Sequence, residues 1–285
     1  MKRLLTAAIG TPIILAAVFL LPSPWFFILM TVLIGVATFE YTAIVRSQAP
    51  HAPLRLLLVL VPLAALALTL SLSGDLQPAR PGAPLFAAAA LMSVGLGTLI
   101  LFSRTPLPET LPALGVFGFG IPYFAVPFTS LHALQQMEDP SGREPYYGPW
   151  LIVLLLAIVW LGDTAAYYVG SRIGRHKMAP VISPNKSWEG AAAGFLTGVA
   201  AAAAWCLLRL GRVDVRILVL AGITAVAAQV GDLAESMIKR GAGVKDSGNI
   251  LPGHGGVLDR MDALLFAAPV LLAGLWLLGL EGVAR

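Results

Sequence analysis

Nine stretches of this 285-residue chain are apolar over lengths that match a lipid bilayer. They are Leu4–Leu21, Trp25–Val45, Leu56–Leu72, Leu85–Phe102, Pro112–Leu134, Trp150–Val169, Ala191–Leu210, Ile217–Ile238 and Met261–Leu280. An α-helix crosses ~30 Å of hydrocarbon in ~20 residues. Backbone groups in lipid must bond within their own segment, so runs of this kind fold as helices. Composition agrees, since charged residues are 12% of the chain and apolar residues 58%, against ~25% charged in a soluble domain. The chain is therefore expected to be all-α. It reads as a polytopic integral membrane protein of about nine transmembrane helices, with a polar cavity facing the cytoplasm. Residues 1–148, spans one to five, read as scaffold and lipid access, and residues 149–285, spans six to nine, as the part that carries the chemistry.

Several classes are excluded at this level. The one cysteine, Cys206, lies in an apolar run, so no disulfide framework exists. The formal charge of +4, from 19 basic and 15 acidic residues, is too dispersed to mark a nucleic-acid binder and suits an anionic lipid or a nucleotide better. With the N-terminus cytoplasmic, 13 of the 19 basic residues fall in connections on the inside, as the positive-inside rule requires. The connection between the last two spans then faces the cytoplasm.

That connection, Ser236–Asp262, is where the charge is concentrated. It holds Lys239, Arg240, Lys245, Arg260, Asp246, Asp259, Asp262, His254 and six glycines in 27 residues. Glycines admit close approach of backbone N–H groups to an anion. Basic side chains neutralise phosphate oxygens, and clustered carboxylates hold a divalent cation that phosphates also ligate. Together these residue types point to a metal–phosphate site at a membrane surface.

Neighbouring segments add to it. On the eighth span Asp232, Glu235, Ser236 and Lys239 recur at three- and four-residue spacing and share one helix face, which fits either a polar cavity or an internal Asp–Lys pair. Asp259 and Asp262 are three apart at the start of the last span, where carboxylates also serve as helix caps. Asp163 sits within the sixth apolar run, where a carboxylate costs roughly 2.5–3.5 kcal/mol unless it faces a polar cavity. In Ser171–Glu189, Arg172 and Arg175 read as positive-inside anchors and His176 as an interfacial residue. Glu40, near the end of the second span, is a candidate for pairing helices or meeting a headgroup, with an ordinary interfacial position as the simpler reading. Gly190, Gly194 and Gly198 form a small-residue ridge for close helix packing. Pro112, Pro122 and Pro127 imply a kinked or broken fifth span.

The pattern S-x-x-K-R, then K-D-x-G, then P-G-H-G-G-x-x-D-R-x-D, carried by Ser236, Lys239, Arg240, Lys245, Asp246, Gly248, Pro252, His254, Gly255, Gly256, Asp259, Arg260 and Asp262, resembles the signature of the phosphatidate cytidylyltransferases. Ser183 to Gly190, with Lys186, resembles a second element of that family. The resemblance implies the reaction of CTP with phosphatidic acid to give CDP-diacylglycerol and pyrophosphate. Mg²⁺ would be held by Asp232 and Asp259, with Asp262 as a ligand or its support, and Asp163 lying in the same polar region. Phosphates would be bound by Lys186, Lys239, Arg240, Lys245 and Arg260, with Ser183, Ser236 and Asp246 also among the substrate-binding positions. Gly255 and Gly256 would close the loop, and His254 would orient a phosphate. A second, monovalent cation and a homodimer are left open. A phosphate monoester with a second pKa near ~6 is largely deprotonated at neutral pH, so the nucleophile needs no strong base. The rivals are a CTP-dependent kinase of a polyprenol-type alcohol, with Asp163 or Asp246 as base, and an ion transporter.

Overall fold

A computed structural model describes residues 2–72, 95, 96, 98, 100, 101, 103, 105–139, 146–250 and 255–280. Its helices are α1 (Lys2–Leu20), α2 (Ser23–Val45), α3 (Leu57–Leu72), α4 (Leu107–Gln136), α5 (Tyr147–Ile173), α6 (Trp188–Leu210), α7 (Val215–Gly241) and α8 (Leu258–Leu277). A 3₁₀ turn at Leu54–Leu56 precedes α3. Seven helices among the described residues, all but α1, are long and apolar enough to cross a membrane when the 3₁₀ turn is counted with α3. The first expected span is the helix α1, and most of the fourth, Leu85–Phe102, lies outside the described residues. The all-α, polytopic architecture is as the apolar lengths require.

Three local differences from the sequence reading matter. The segment after α5 is not a plain connector: Lys177–Ala179 (β1) and Ser183–Ser187 (β2) pair antiparallel, with Lys177 opposite Ser187 and Ala179 opposite Ser183. α5 itself runs on to Ile173, four residues past the apolar run, because polar residues continue a helix freely once it leaves hydrocarbon. α4 is one 30-residue helix through Pro112, Pro122 and Pro127, so these prolines do not break it.

The described residues form two compact units. One comprises Met1–Phe26, Ser130–Met237 and Met261–Arg285; the other comprises Phe27–Thr129 and Ile238–Arg260. In the first unit, α5 and α6 pack backbone to backbone. A side chain at Gly194 would meet the Gly162 carbonyl oxygen at 2.9 Å, and one at Gly190 would meet the Ala166 carbonyl oxygen at 2.7 Å. The glycine ridge thus serves close packing, which substitutes for the hydrophobic drive that lipid removes. α7 is tied to α6 by Gln229 Nε2 donating to the Ala191 carbonyl at 3.0 Å. α1 meets α5 through Phe19 and Trp150, edge to face at 5.2 Å, and Trp205 Nε1 of α6 donates to the Trp150 carbonyl at 3.0 Å.

Helix ends follow ordinary capping chemistry. Ser187 Oγ accepts from Gly190 N at the start of α6, and Gly211, at φ 66°, closes its far end in the left-handed conformation. Asp214 stands before α7 and accepts from the backbone N–H and guanidinium of Arg216. Those bonds, the side-chain one first, hold its carboxyl below the usual aspartate range. In the second unit, Tyr41 of α2 is buried and donates to the Val116 carbonyl of α4 at 3.2 Å. Gly120 leaves room for that ring, since a side chain there would meet Tyr41 Cε1 at 2.8 Å.

Candidate active site

In the first unit, a close helix approach gathers the carboxylates. Gly231 of α7 lies against α8, where a side chain would meet the Asp262 carbonyl oxygen at 2.7 Å. The residue after it, Asp232, is thereby carried to the same level as Asp262. Asp232, Glu235 and Asp163 lie within electrostatic reach of Asp262. Glu235 is 1% exposed, whereas Asp163 is exposed at the α5 surface. Asp262 Oδ1 accepts from Ala263 N at 2.8 Å, and Ser236 Oγ donates weakly to Asp232 Oδ1 at 3.5 Å.

A lysine meets this acidity. Lys186, on β2, places Nζ 2.7 Å from Asp232 Oδ2, with both side chains about one-third exposed or less (26% and 31%). The hairpin that carries it is braced on α6: Glu189 accepts from His176 N and lies 2.7 Å from His176 Nδ1, and Trp188 N donates to the His176 carbonyl. His176 thus latches the hairpin. Ser183 opens β2, three residues before Lys186.

The second unit holds the glycine loop. Lys239 Nζ pairs with Asp259 Oδ1 at 2.6 Å, with the two side chains 11% and 6% exposed. Asp259 Oδ2 accepts from Ser247 N at 2.9 Å and from Gly256 N at 2.8 Å. Lys239 therefore pairs with Asp259 rather than with the aspartate two turns earlier on its own helix. A charge pair this buried is costly to break, about 3–5 kcal/mol when one partner is removed. Gly255, at φ 79°, adopts a conformation L side chains rarely take, and a Cβ there would meet Asp259 Oδ2 at 2.5 Å. Arg240, Lys245, Asp246 and Arg260 are exposed, and Arg240 donates to the Val244 carbonyl. His254, with Leu251, Pro252 and Gly253, lies outside the described residues.

One residue that sequence reasoning weighed lightly is central here. Glu40 of α2 is 2% exposed and accepts from Ser247 Oγ, Val257 N and Leu258 N at 3.1, 3.0 and 2.8 Å. Nothing in its local sequence signals partners more than 200 residues away.

Among the described residues, no three His, Cys, Asp or Glu side chains form a metal site unaided. Mg²⁺ rarely uses such a cage; it keeps waters and binds one or two carboxylates together with substrate phosphates. Asp232 and Asp262 offer hard carboxylate oxygens on two helices packed together at Gly231, so this donor set fits Mg²⁺ arriving with a polyphosphate.

Fold and side chains together describe a polytopic helical membrane protein with carboxylates and a lysine in one unit and a buried Lys–Asp pair in the other. The chain belongs to the cytidylyltransferase family, whose model matches residues 1–278. It is 32% identical over 284 residues to the phosphatidate cytidylyltransferase of Pseudomonas aeruginosa, covering 98% of this chain and 97% of that one. It is 44% identical over 190 residues to the phosphatidate cytidylyltransferase of Brucella suis, 64% of each chain. With that of Haemophilus influenzae it shares 36% over 173 residues, 59% of this chain and 57% of the other. The chain thus spans somewhat under two thirds of the Brucella and Haemophilus relatives it matches. The resemblance read from Ser236–Asp262 is borne out.

Proposed function

We propose that this chain transfers the cytidylyl group of CTP to phosphatidic acid, giving CDP-diacylglycerol and pyrophosphate, at the cytoplasmic face of the membrane. The observation that carries the reading is the pair between Lys186, on the β-hairpin, and Asp232, on a membrane-length helix whose Gly231 packs against Asp262. It supplies both charges that a phosphate–metal complex requires. The relative matched along nearly its whole length bears the name of this activity, and the excess of basic residues in the connections assigned to the inside supports the orientation.

A phosphatidate oxygen attacks the α-phosphorus of CTP, the new P–O bond forms, and the bond from that phosphorus to the α–β bridging oxygen breaks. Pyrophosphate leaves with the bonding electrons. The attacking phosphate is already largely deprotonated, since its second pKa is near ~6, so no side chain need take its proton. Asp232 and Asp262 would hold Mg²⁺, in place of the expected Asp232 and Asp259, because both Asp259 oxygens are engaged by Lys239, Ser247 and Gly256; when bound, the ion neutralises triphosphate charge and makes the α-phosphorus more electrophilic. Asp163 and Glu235 add to the negative field that favours a divalent cation there. Lys186 exchanges its partner Asp232 for a phosphate oxygen as substrate binds. Lys239, fixed by Asp259, contributes positive charge, and Arg240, Lys245 and Arg260 contact phosphates from the exposed loop. Ser183, Ser236 and Asp246 flank these positions, and Gly255 and Gly256 let the loop backbone close. In this scheme catalysis rests on position and charge, as phosphoryl chemistry generally does.

Purified protein incubated with CTP and phosphatidic acid tests the reading. It predicts CDP-diacylglycerol and pyrophosphate in equal amounts, and neither when phosphatidic acid is replaced by diacylglycerol.

A further inference from the structure

We propose that Glu40 is a positioning residue: from the second helix it fixes the glycine loop and the start of α8, and through Ser247 it sets the Lys239–Asp259 pair. This rests on the cytidylyl-transfer reading above for its kinetic part alone. The chain of contacts is continuous within one compact unit. Glu40 Oε2 accepts a hydrogen bond from the Ser247 hydroxyl at 3.1 Å, and the same hydroxyl oxygen accepts from Asp259 N at 3.3 Å. Ser247 N in turn donates to Asp259 Oδ2, whose other oxygen holds Lys239. Glu40 also accepts the Val257 and Leu258 N–H groups at the N-terminus of α8. Those donors have no partner within their own helix, and the helix dipole favours a carboxylate there.

The glycines explain how a carboxylate from α2 gets in. A side chain at Gly248 would meet Glu40 Oε1 at 2.8 Å, and one at Gly256 would run into both Ser247 Oγ and Glu40 Oε2. Two of the loop's glycines are thus the space that Glu40 occupies. That role differs from phosphate cradling, although it lies in the same segment.

Glu40→Gln keeps the volume but sets an amide NH₂ against N–H or O–H donors. It should lower kcat about 100-fold, as a small misplacement of reacting groups does, with KM changed less than about threefold. Trypsin cleavage after the exposed Lys245 should quicken about tenfold through local opening, with the global Tm held. Ser247→Ala should show the same split, and the double variant should be little worse than either single one, because both act in one chain of contacts. Glu109→Gln, which removes a carboxylate paired with His51 in the same unit, should leave kcat and cleavage unchanged. If Glu40→Gln does not fold, Ser247→Ala carries the test. Unchanged cleavage, or faster cleavage with wild-type kcat, overturns the proposal. If the wild-type protein makes no CDP-diacylglycerol, the function fails separately. Cleavage then decides for Glu40 alone: faster cleavage keeps it as the loop's anchor, and an unchanged rate removes it.

Discussion

Lys186 and Asp232 meet at 2.7 Å although 46 positions separate them, one on a β-hairpin and the other on a membrane helix. Neither side chain is sealed from solvent, so the pair is exchangeable. In the proposed reaction this lysine would leave Asp232 for a phosphate oxygen of the substrate.

Lys186→Ala should therefore lower kcat/KM by about 100–1,000-fold, the loss expected for one charge-assisted contact in the transition state. Arg172→Ala should stay within about threefold, because Arg172 is exposed and stacks over Tyr168 at 5.4 Å. Steady-state kinetics of the two variants in the same detergent compare them directly. Equal, small losses would return Lys186 to the role of a membrane anchor.

The acidic group makes a prediction about metal. Asp262→Asn and Asp232→Asn preserve size and each remove one charge from the proposed Mg²⁺ ligands. Mg²⁺ with CTP should raise the Tm of the wild-type protein, by linkage of binding to folding, and should fail to do so in either variant. Turnover should fall at least about 100-fold in both. Asp246→Asn, in the exposed loop, should keep the Tm response. Retention of that response in both Asp232→Asn and Asp262→Asn would remove these ligands.

The glycines divide sharply. Gly256→Ala and Gly248→Ala drive a methyl group into the Glu40 carboxylate and should each destabilise by about 1–3 kcal/mol. Gly115→Ala, in the middle of α4 with nothing within 4 Å of the new carbon, should stabilise by about 0.5–1 kcal/mol through helix propensity. Thermal unfolding in one detergent would separate the two signs.

Topology is testable at the ends of one helix. α7 has 27 residues, about 40 Å at 1.5 Å each, more than the ~30 Å of hydrocarbon. After Cys206, buried and the one cysteine, is replaced by Ser, cysteines at Asn249 and Arg212 should label from opposite sides, Asn249 from the cytoplasm. Labelling of both from one side would contradict the orientation.

Much of the architecture was legible because a 20-residue apolar run in lipid has one backbone solution. The shared helix face of Asp232, Glu235 and Ser236 was legible for a similar reason, since helical spacing fixes it. What spacing cannot give is the partner across a turn. Lys239 has Asp232 and Asp259 as plausible partners in sequence, and only the course of the loop brings Asp259 to it. Glu40 was harder still: a lone carboxylate near a helix end looks the same whether it meets water or receives Ser247 from 207 positions away. The hairpin bearing Lys186 escaped because Ser183–Ser187 has no alternating apolar pattern. Its backbone pairing and the His176–Glu189 latch hold it instead.

The central claim is which group of CTP reaches the lipid. Purified protein should be given phosphatidic acid and either α-³²P- or γ-³²P-labelled CTP, and the lipid fraction counted and identified. Cytidylyl transfer places the α-label in CDP-diacylglycerol and leaves the γ-label in pyrophosphate. Incorporation of the γ-label into lipid, with the α-label remaining in CDP, would be phosphoryl transfer by a kinase and would contradict the account.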